Sequence, residues 1–444
     1  VVSDWRSVIE LVNHGVVADP VEAAEAGLFA GVDMDMAADV YRQHLPGLVE
    51  TGQLAEEVVH EAARRILRLK FLAGLFENPY TDPARHKTTL LKPEYRQAAR
   101  RMAQETIVLL KNRDVLPIDA RFKKIAFVGP FVHARAELLG TWCVDGRAED
   151  VTPISQAVRE MAPKNFELSF AERVDDALRL AQHVDLVVAL VGEHPSRSGE
   201  NNNVSDLSLP PGQSQFIEAL ADLGVPLVVV VFAGRPLAIM RAARLADALL
   251  YAWHPGSEGG YAIADLLFGL AQPSGRLPIT LPRRTGQVPA YYAQKPSGRP
   301  VGSTGEFLTR YTDLSPTPLY PFGYGLGYSK FAYSNLAIST PHMTGENQIS
   351  VDVTNQGPLP GIETAQLYLR DLVASVTRPV KELKGFRRLE LQPGETRRVS
   401  FTISAADLVF TSHNDLPRVE PGEYHLWVGS NSDEGLQGSF TLDV

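Results

Sequence analysis

Four short runs rich in Val, Leu and Ala constrain this chain more than any other feature: Lys124 to Val128, Val184 to Val191, Pro226 to Phe232 and Ala246 to Tyr251. Each is bounded by turn residues, and helical patterns lie between them. Near-continuous apolar runs suit strands buried on both faces, and strands alternating with helices imply a mostly parallel sheet covered on both sides. Ligands in such sheets sit at the loops that follow the strand C-termini. Two of those loops stand out. One follows Val128-Gly129-Pro130 and contains Leu138-Leu139-Gly140-Thr141-Trp142; the other runs from His194 through Arg197, Ser198, Gly199 and Glu200 to Asn203. The second is long and polar, as functional loops on a rigid scaffold tend to be, although a solvated surface loop reads the same way.

The chain opens on Val1-Val2-Ser3-Asp4-Trp5, which reads as a buried parallel strand delivering a carboxylate and an aromatic ring at its end. An Ala/Glu-rich helix from about Pro20 to Ala26 follows. Gly27 to Met36 then reads as a second short strand, carrying Asp33 and Asp35. Leu54 to Leu75 is helical, with Val58, Val59, Ala62, Ile66, Leu69 and Leu72 as a core-facing stripe. Residues 81–92 are polar and contain Pro83, marking a linker. Pro93 to Lys111 patterns as one amphipathic helix.

From about Ser334 the pattern changes to short alternating strands, Ile349 to Val353, Gln366 to Leu369, Arg398 to Ile403 and Tyr424 to Val428, with turns at Asn355-Gln356-Gly357, Pro393-Gly394 and Pro421-Gly422. Strands without helices imply an antiparallel β-sandwich. Phe386, Phe401, Tyr424 and Trp427 fall within strand patterns and are expected in its core.

At 444 residues the chain accommodates two or three domains. Its formal net charge of −9 leaves no basic footprint for nucleic acid or an anionic membrane and favours neutral substrates. Cys143 is the only cysteine, so no intrachain disulfide can form. No apolar run reaches the length of a membrane-spanning helix.

Several segments together resemble glycoside hydrolase family 3, the retaining β-glucosidases. They are Ser3-Asp4-Trp5, Ala30-Gly31-Val32-Asp33-Met34-Asp35-Met36, Ala62 to Leu67 leading to Gly74-Leu75-Phe76-Glu77-Asn78-Pro79-Tyr80, the string Pro318 to Tyr328, Arg378 to Phe386, and Gly422 to Gly429. Asn13-His14-Gly15 with Ala18-Asp19-Pro20 is most like the bacterial periplasmic β-glucosidases. The resemblance implies the last part of a (β/α)8 barrel carrying the nucleophile over residues 1–80, a linker over 81–92 and an α/β sandwich carrying the acid/base loop over 93–282. A connector over 283–333 and a fibronectin type III-like domain over 334–444 would follow. It further implies that Asp4 is the nucleophile and Glu200, on another domain, the general acid/base; Glu193 is the second candidate for that role, though its place at a strand end suits orienting loop groups.

Cleavage with retention needs two carboxyl groups about 5 to 5.5 Å apart, one to attack the anomeric carbon and one to protonate the leaving oxygen. Asp4 must therefore be ionised and Glu200 protonated when turnover begins. Trp5 and Trp142 would offer faces for sugar rings, and Arg197 would contact a hydroxyl or pair with a loop carboxylate. No metal or organic cofactor is expected: Asp33 and Asp35 lack a third ligand with convincing spacing. The lone histidines His14 and His194 could also serve the site, but a lone histidine is more often structural, and neither is assigned a role. The expected activity is exo-hydrolysis of terminal β-D-glucosyl residues from β-glucosides or short gluco-oligosaccharides, with a β-xylosidase as the nearest alternative. A non-catalytic fragment binding carbohydrate or a partner chain is a third. The sugar-gripping residues of earlier barrel strands have no counterpart here, so this stretch is expected to need an upstream barrel segment for activity. The resemblance also points to a periplasmic or secreted protein and allows a homo-oligomer. Phe307 and Tyr311 lie in an insert whose tip could approach the cleft.

Overall fold

The structure, a computed structural model, describes residues 1–300 and 310–443; Phe307 lies outside them. Two compact units make up the chain, Val1–Leu90 and Leu91–Val444.

The first unit holds four main helices, α1 (Ser7–Asn13), α2 (Pro20–Phe29), α3 (Val40–Glu50) and α4 (Glu56–Leu72). Asp19 caps α2, accepting the N–H groups of Val21 and Glu22, and Pro20 occupies the first turn, where its missing donor costs nothing. Val8, Ala23, Ala24, Leu28, Leu45, Leu48 and Leu54 form the core. Two expectations change here. The opening strand and the Gly27–Met36 strand reduce to one parallel bridge, Val2 with Met34, and Gly27 to Phe29 continue α2. With a single strand neighbour, Val1 and Val2 are 73% and 44% exposed rather than buried. The apolar stripe of α4 is fully buried at Ala62 and partly buried at Val58, Val59 and Ile66, while Leu69 and Leu72 towards its C-terminal end are open. Residues 81–92 contain a short helix, Arg85–Thr89.

The second unit begins with a helix, Pro93–Thr106, and a six-stranded sheet. Its strands are β1 (Val108–Asn112), β2 (Lys124–Val128), β3 (Glu167–Ala171), β4 (Leu186–Gly192), β5 (Leu227–Phe232) and β6 (Ala248–Tyr251), in the order β1-β6-β5-β4-β2-β3. All neighbours are parallel except β1 and β6, which pair antiparallel, Val108 opposite Tyr251. Val108 to Lys111 therefore leave the expected helix: Val108, Leu109 and Leu110 are buried in succession, as in a strand covered on both faces. Val188 and Leu190 join one core with the helices Ile154–Met161 and Gly259–Leu267, and Val187, Ala189 and Val191 join another with Gln213–Ala221. The connector is packed as its aromatic content suggests. Leu281 bridges Tyr320, Leu109 bridges Leu326, and the Tyr320 and Tyr324 rings lie 5.1 Å apart.

The sandwich has strands β7 (Phe331–Ile338), β8 (His342–Met343), β9 (Asn347–Asn355), β10 (Gly361–Asp371), β11 (Glu382–Leu391), β12 (Thr396–Ile403), β13 (Phe410–Thr411), β14 (Pro417–Arg418), β15 (Gly422–Gly429) and β16 (Leu436–Leu442). One sheet runs β12-β9-β7 and the facing sheet β11-β10-β15-β16-β8. Phe401 and Tyr424 are in the core as expected. Phe386 is 60% exposed, and Trp427 sits with His425 on the outer face of β15, since Tyr424, Leu426 and Val428 take the inner one. The buried ion pair Arg276 to Glu363, at 2.7 Å, ties the sandwich to the segment that follows the α/β sheet, and Tyr333 donates to the same carboxylate at 2.7 Å.

Candidate active site

In the first unit Asp4 sits in the tight passage from the Val2 bridge into α1. Ser3 pins that passage: its N–H donates to the Met34 carbonyl at 2.9 Å, and its Oγ accepts the N–H of Met36 at 2.8 Å. Arg6 takes a left-handed conformation, φ 55°, and donates its N–H to the Met36 carbonyl at 2.7 Å. The Asp4 carboxylate is thus presented on an exposed turn, with Oδ1 accepting the N–H of Trp5 at 2.6 Å. The neighbouring carboxylates are engaged otherwise. Asp33 accepts from Arg65 at 2.8 Å, and Asp35 accepts the Val40 N–H at 2.9 Å, where it serves the start of α3. His14 is exposed at the end of α1.

In the second unit the loop after β4 is held from below by a buried carboxylate. Glu193 is fully buried; its Oε1 accepts Nε–H of Arg197 at 2.9 Å and its Oε2 accepts Nε–H of Arg235 at 3.1 Å. Arg235 then donates to the carbonyls of Arg197 and Asn202, the latter at 2.9 Å, so one guanidinium fastens the loop on both sides of Glu200. Asn202 Nδ2 adds a bond to the Ser198 carbonyl at 3.1 Å. Glu193 is accordingly the orienting group of this loop, and Arg197 spends its Nε on Glu193 while its side chain stays 38% exposed. Glu200 itself is exposed. His194 faces its own loop, Nδ1 lying 2.8 Å from Ser196 Oγ.

The two loops singled out in the sequence are joined. Thr141 Oγ1 donates toward the carbonyls of Pro195 and Ser198, at 2.6 and 2.8 Å, and a Cβ on Gly199 would lie 2.6 Å from Thr141 Cγ2. Trp142, next to Thr141, is 70% exposed and is not part of the core. Asp4 and Trp5 belong to the first unit, and Glu200, Arg197 and Trp142 to the second.

One residue of this loop floor carried no sequence signal. His254 follows β6, and its ring sits against Gly140 and Gly234. A Cβ at Gly140 would approach the ring to 2.8 Å; one at Gly234 would stand 2.9 Å from His254 Nε2 and 2.4 Å from Ser198 Oγ. Gly234 thereby lets Ser198 and His254 close over β5. Burial holds the imidazole below its ordinary value, against the opposing pulls of the Glu137 backbone and the Glu193 charge. A lone histidine in Trp253-His254-Pro255-Gly256 has no spacing that announces this place.

The profile of the glycosyl hydrolase family 3 N terminal domain matches residues 1–69, that of the family 3 C-terminal domain residues 107–328, and that of the fibronectin type III-like domain residues 363–432. A periplasmic β-glucosidase of Salmonella typhimurium is 37% identical over 99% of this chain and 63% of its own length. A putative β-xylosidase of Formosa agariphila is 36% identical over all of this chain and 59% of its own. The structure of a β-glucosidase from Listeria innocua, also solved with glucose, superposes with a TM-score of 0.93 at 35% identity, covering all of this chain and 63% of that one. The chain thus spans less than two thirds of these relatives. The three matched segments, in this order along the chain, show that it belongs to glycosyl hydrolase family 3.

Proposed function

We propose that this chain is the later part of a retaining, exo-acting β-glucosidase that removes terminal β-D-glucosyl residues. The observation that carries the reading is the Glu200 loop: an exposed carboxyl group on a segment that Glu193, Arg235 and Thr141 hold rigid, in a family 3 chain. Residues 1–80 supply the end of a (β/α)8 barrel, and an upstream barrel segment, for which the relatives' greater length leaves room, covers the open faces of Val1, Val2 and α4 and grips the sugar hydroxyls.

The residues then divide the work. Asp4 attacks the anomeric carbon while Glu200 gives its proton to the glycosidic oxygen, and the aglycone leaves. Glu200, now ionised, takes a proton from water, and the hydroxide formed displaces Asp4 with a second inversion at the same carbon. Trp5 and Trp142 present faces to the sugar rings, and the exposed end of Arg197 reaches a hydroxyl. The reaction as written needs no cofactor. The Listeria protein's complex with glucose supports a glucoside substrate; the similarity to the Formosa protein supports a β-xyloside as the second reading. We assign the protein to the periplasm or the exterior by its likeness to the Salmonella enzyme; no helix among the described residues is long and apolar enough to cross a membrane.

Release of nitrophenol from aryl β-glucoside and β-xyloside by the protein carrying its complete barrel tests the reading. A higher kcat/KM on the glucoside, abolished by Asp4→Ala, supports it. A higher value on the xyloside replaces it by the second reading, and no hydrolysis of either leaves a binding role for the chain.

A further inference from the structure

Where the connector crosses the outer face of the sandwich's five-stranded sheet, a cavity of about 480 Å³ opens. Its floor comes from the side of β10 and β15 turned away from the core. Along β10, Ala365, Leu367 and Leu369 point into the sandwich, so Gln366, Tyr368 and Arg370 point out; Tyr368 pairs with Trp427 and Arg370 with His425 across the ladder. The connector forms the other wall through Tyr291 and Tyr292. Tyr292 stacks on Phe322 at 4.3 Å and meets the Tyr368 ring edge-on at 5.7 Å, which fixes the wall on the sheet. The volume is that of a small-ligand site, and the lining combines aromatic rings and prolines with a few charged groups.

The charges are unbalanced. Arg370, Lys381 and Lys295 line the cavity against one carboxylate, Asp433, in a protein whose net charge is −9. Among the described residues neither Arg370 nor Lys381 has a carboxylate within ion-pair distance. Lys381 is instead held in place by donating to the Ser432 carbonyl at 2.6 Å, with its ammonium 4.6 Å from the centre of the Trp427 ring. Arg370 thus has no ion-pair partner among the described residues and Lys381 has only the more distant Asp433, an unfavourable arrangement for partly buried cations that an anion would complete. Rings and prolines beside them suit the C–H face of a sugar, and an arginine fork suits a carboxylate.

We infer that this cavity binds a saccharide bearing a carboxylate, a hexuronate unit alone or within a glycan. Arg370 and Lys381 receive the carboxylate, and Tyr291 and Tyr292 take the ring. The assignment concerns binding only and stands whether or not the chain hydrolyses glucosides.

Calorimetric titration of the full chain with D-glucuronate, D-glucose and inorganic phosphate at constant ionic strength tests it, on the unaltered protein and on Arg370→Gln and Lys381→Met. The expected result is saturable glucuronate binding that weakens by at least about tenfold in each variant, the loss of one charge-assisted contact, with glucose and phosphate both weaker than glucuronate on the unaltered protein. No saturable glucuronate binding, or binding unchanged in both variants, overturns the proposal. Glucose binding as tightly overturns the carboxylate's part, and phosphate binding more tightly overturns the saccharide's. Arg370 makes no ion pair among the described residues, so Arg370→Gln decides the matter even where Lys381→Met does not fold.

Discussion

Glu193, a carboxylate with no exposure to water, accepts at Oε1 the Nε–H of Arg197, four residues along the same loop, at 2.9 Å. With Arg235 on the other oxygen, this turns a strand end into a clamp on the segment that presents Glu200. Removing one partner of a buried charge pair costs more than the pair contributes, because the remaining charges lose their compensation. Glu193→Gln is expected to lower stability by about 2 kcal/mol, less than for a fully buried pair because Arg197 is 38% exposed. It should also lower kcat more than it raises KM. Denaturant unfolding and steady-state kinetics on the complete enzyme check both.

Gly234 is the second support of the loop. A methyl group there would lie 2.4 Å from Ser198 Oγ and 2.9 Å from His254 Nε2, closer than real contacts allow. Gly234→Ala should keep the fold, displace the loop and cost at least about tenfold in kcat, since misplacement near 1 Å can cost a hundredfold. An unchanged kcat would show that the loop's position is not held from this side.

His254 gives the loop a pH dependence of known sign. Burial lowers its folded value below the ordinary 6.5, so the neutral ring is the form the fold favours. Its contribution is present above about pH 6.5 and is lost as pH falls through the lowered folded value. The thermal midpoint of the unaltered protein should therefore drop more between pH 7.5 and pH 5 than that of His254→Phe, which cannot titrate there. Parallel drops would remove His254 from the account.

The Arg276 to Glu363 pair makes a prediction outside the site. Arg276 is 10% exposed and Glu363 4% by side chain. Arg276→Met leaves Glu363 buried with only the Tyr333 hydroxyl as partner among the described residues, and should cost about 3 kcal/mol in denaturant unfolding.

Much of this arrangement is legible in the sequence, and the exceptions have physical causes. The runs at β2, β4, β5 and β6 announced themselves because strands covered on both faces need apolar residues at every position. β1 was hidden because Val108 to Lys111 continue the helical period of Pro93–Thr106, and only antiparallel pairing with β6 makes them a strand. In β15 the alternation itself separates Trp427 from Tyr424, Leu426 and Val428, so its outward place was readable; that an aromatic on the outer face would meet a connector was not. Val1 and Val2 look like core residues by composition, yet burial depends on neighbours that residues 1–90 do not supply. Glu193 could be suspected as an orienting group from its strand-end position, whereas Arg235 and His254, 42 and 61 residues further on, reach the loop only through the fold.

In the mechanism we propose, Asp4 forms the covalent bond to the sugar. Incubating the complete enzyme with a 2-deoxy-2-fluoroglucoside carrying a good leaving group slows the second step more than the first and lets the glycosyl-enzyme accumulate. Peptide mass spectrometry should then find one fluoroglucosyl unit on the peptide containing Ser3-Asp4-Trp5, and none in Asp4→Asn. A label on any other carboxylate, or an active enzyme that turns over without labelling, would contradict the account.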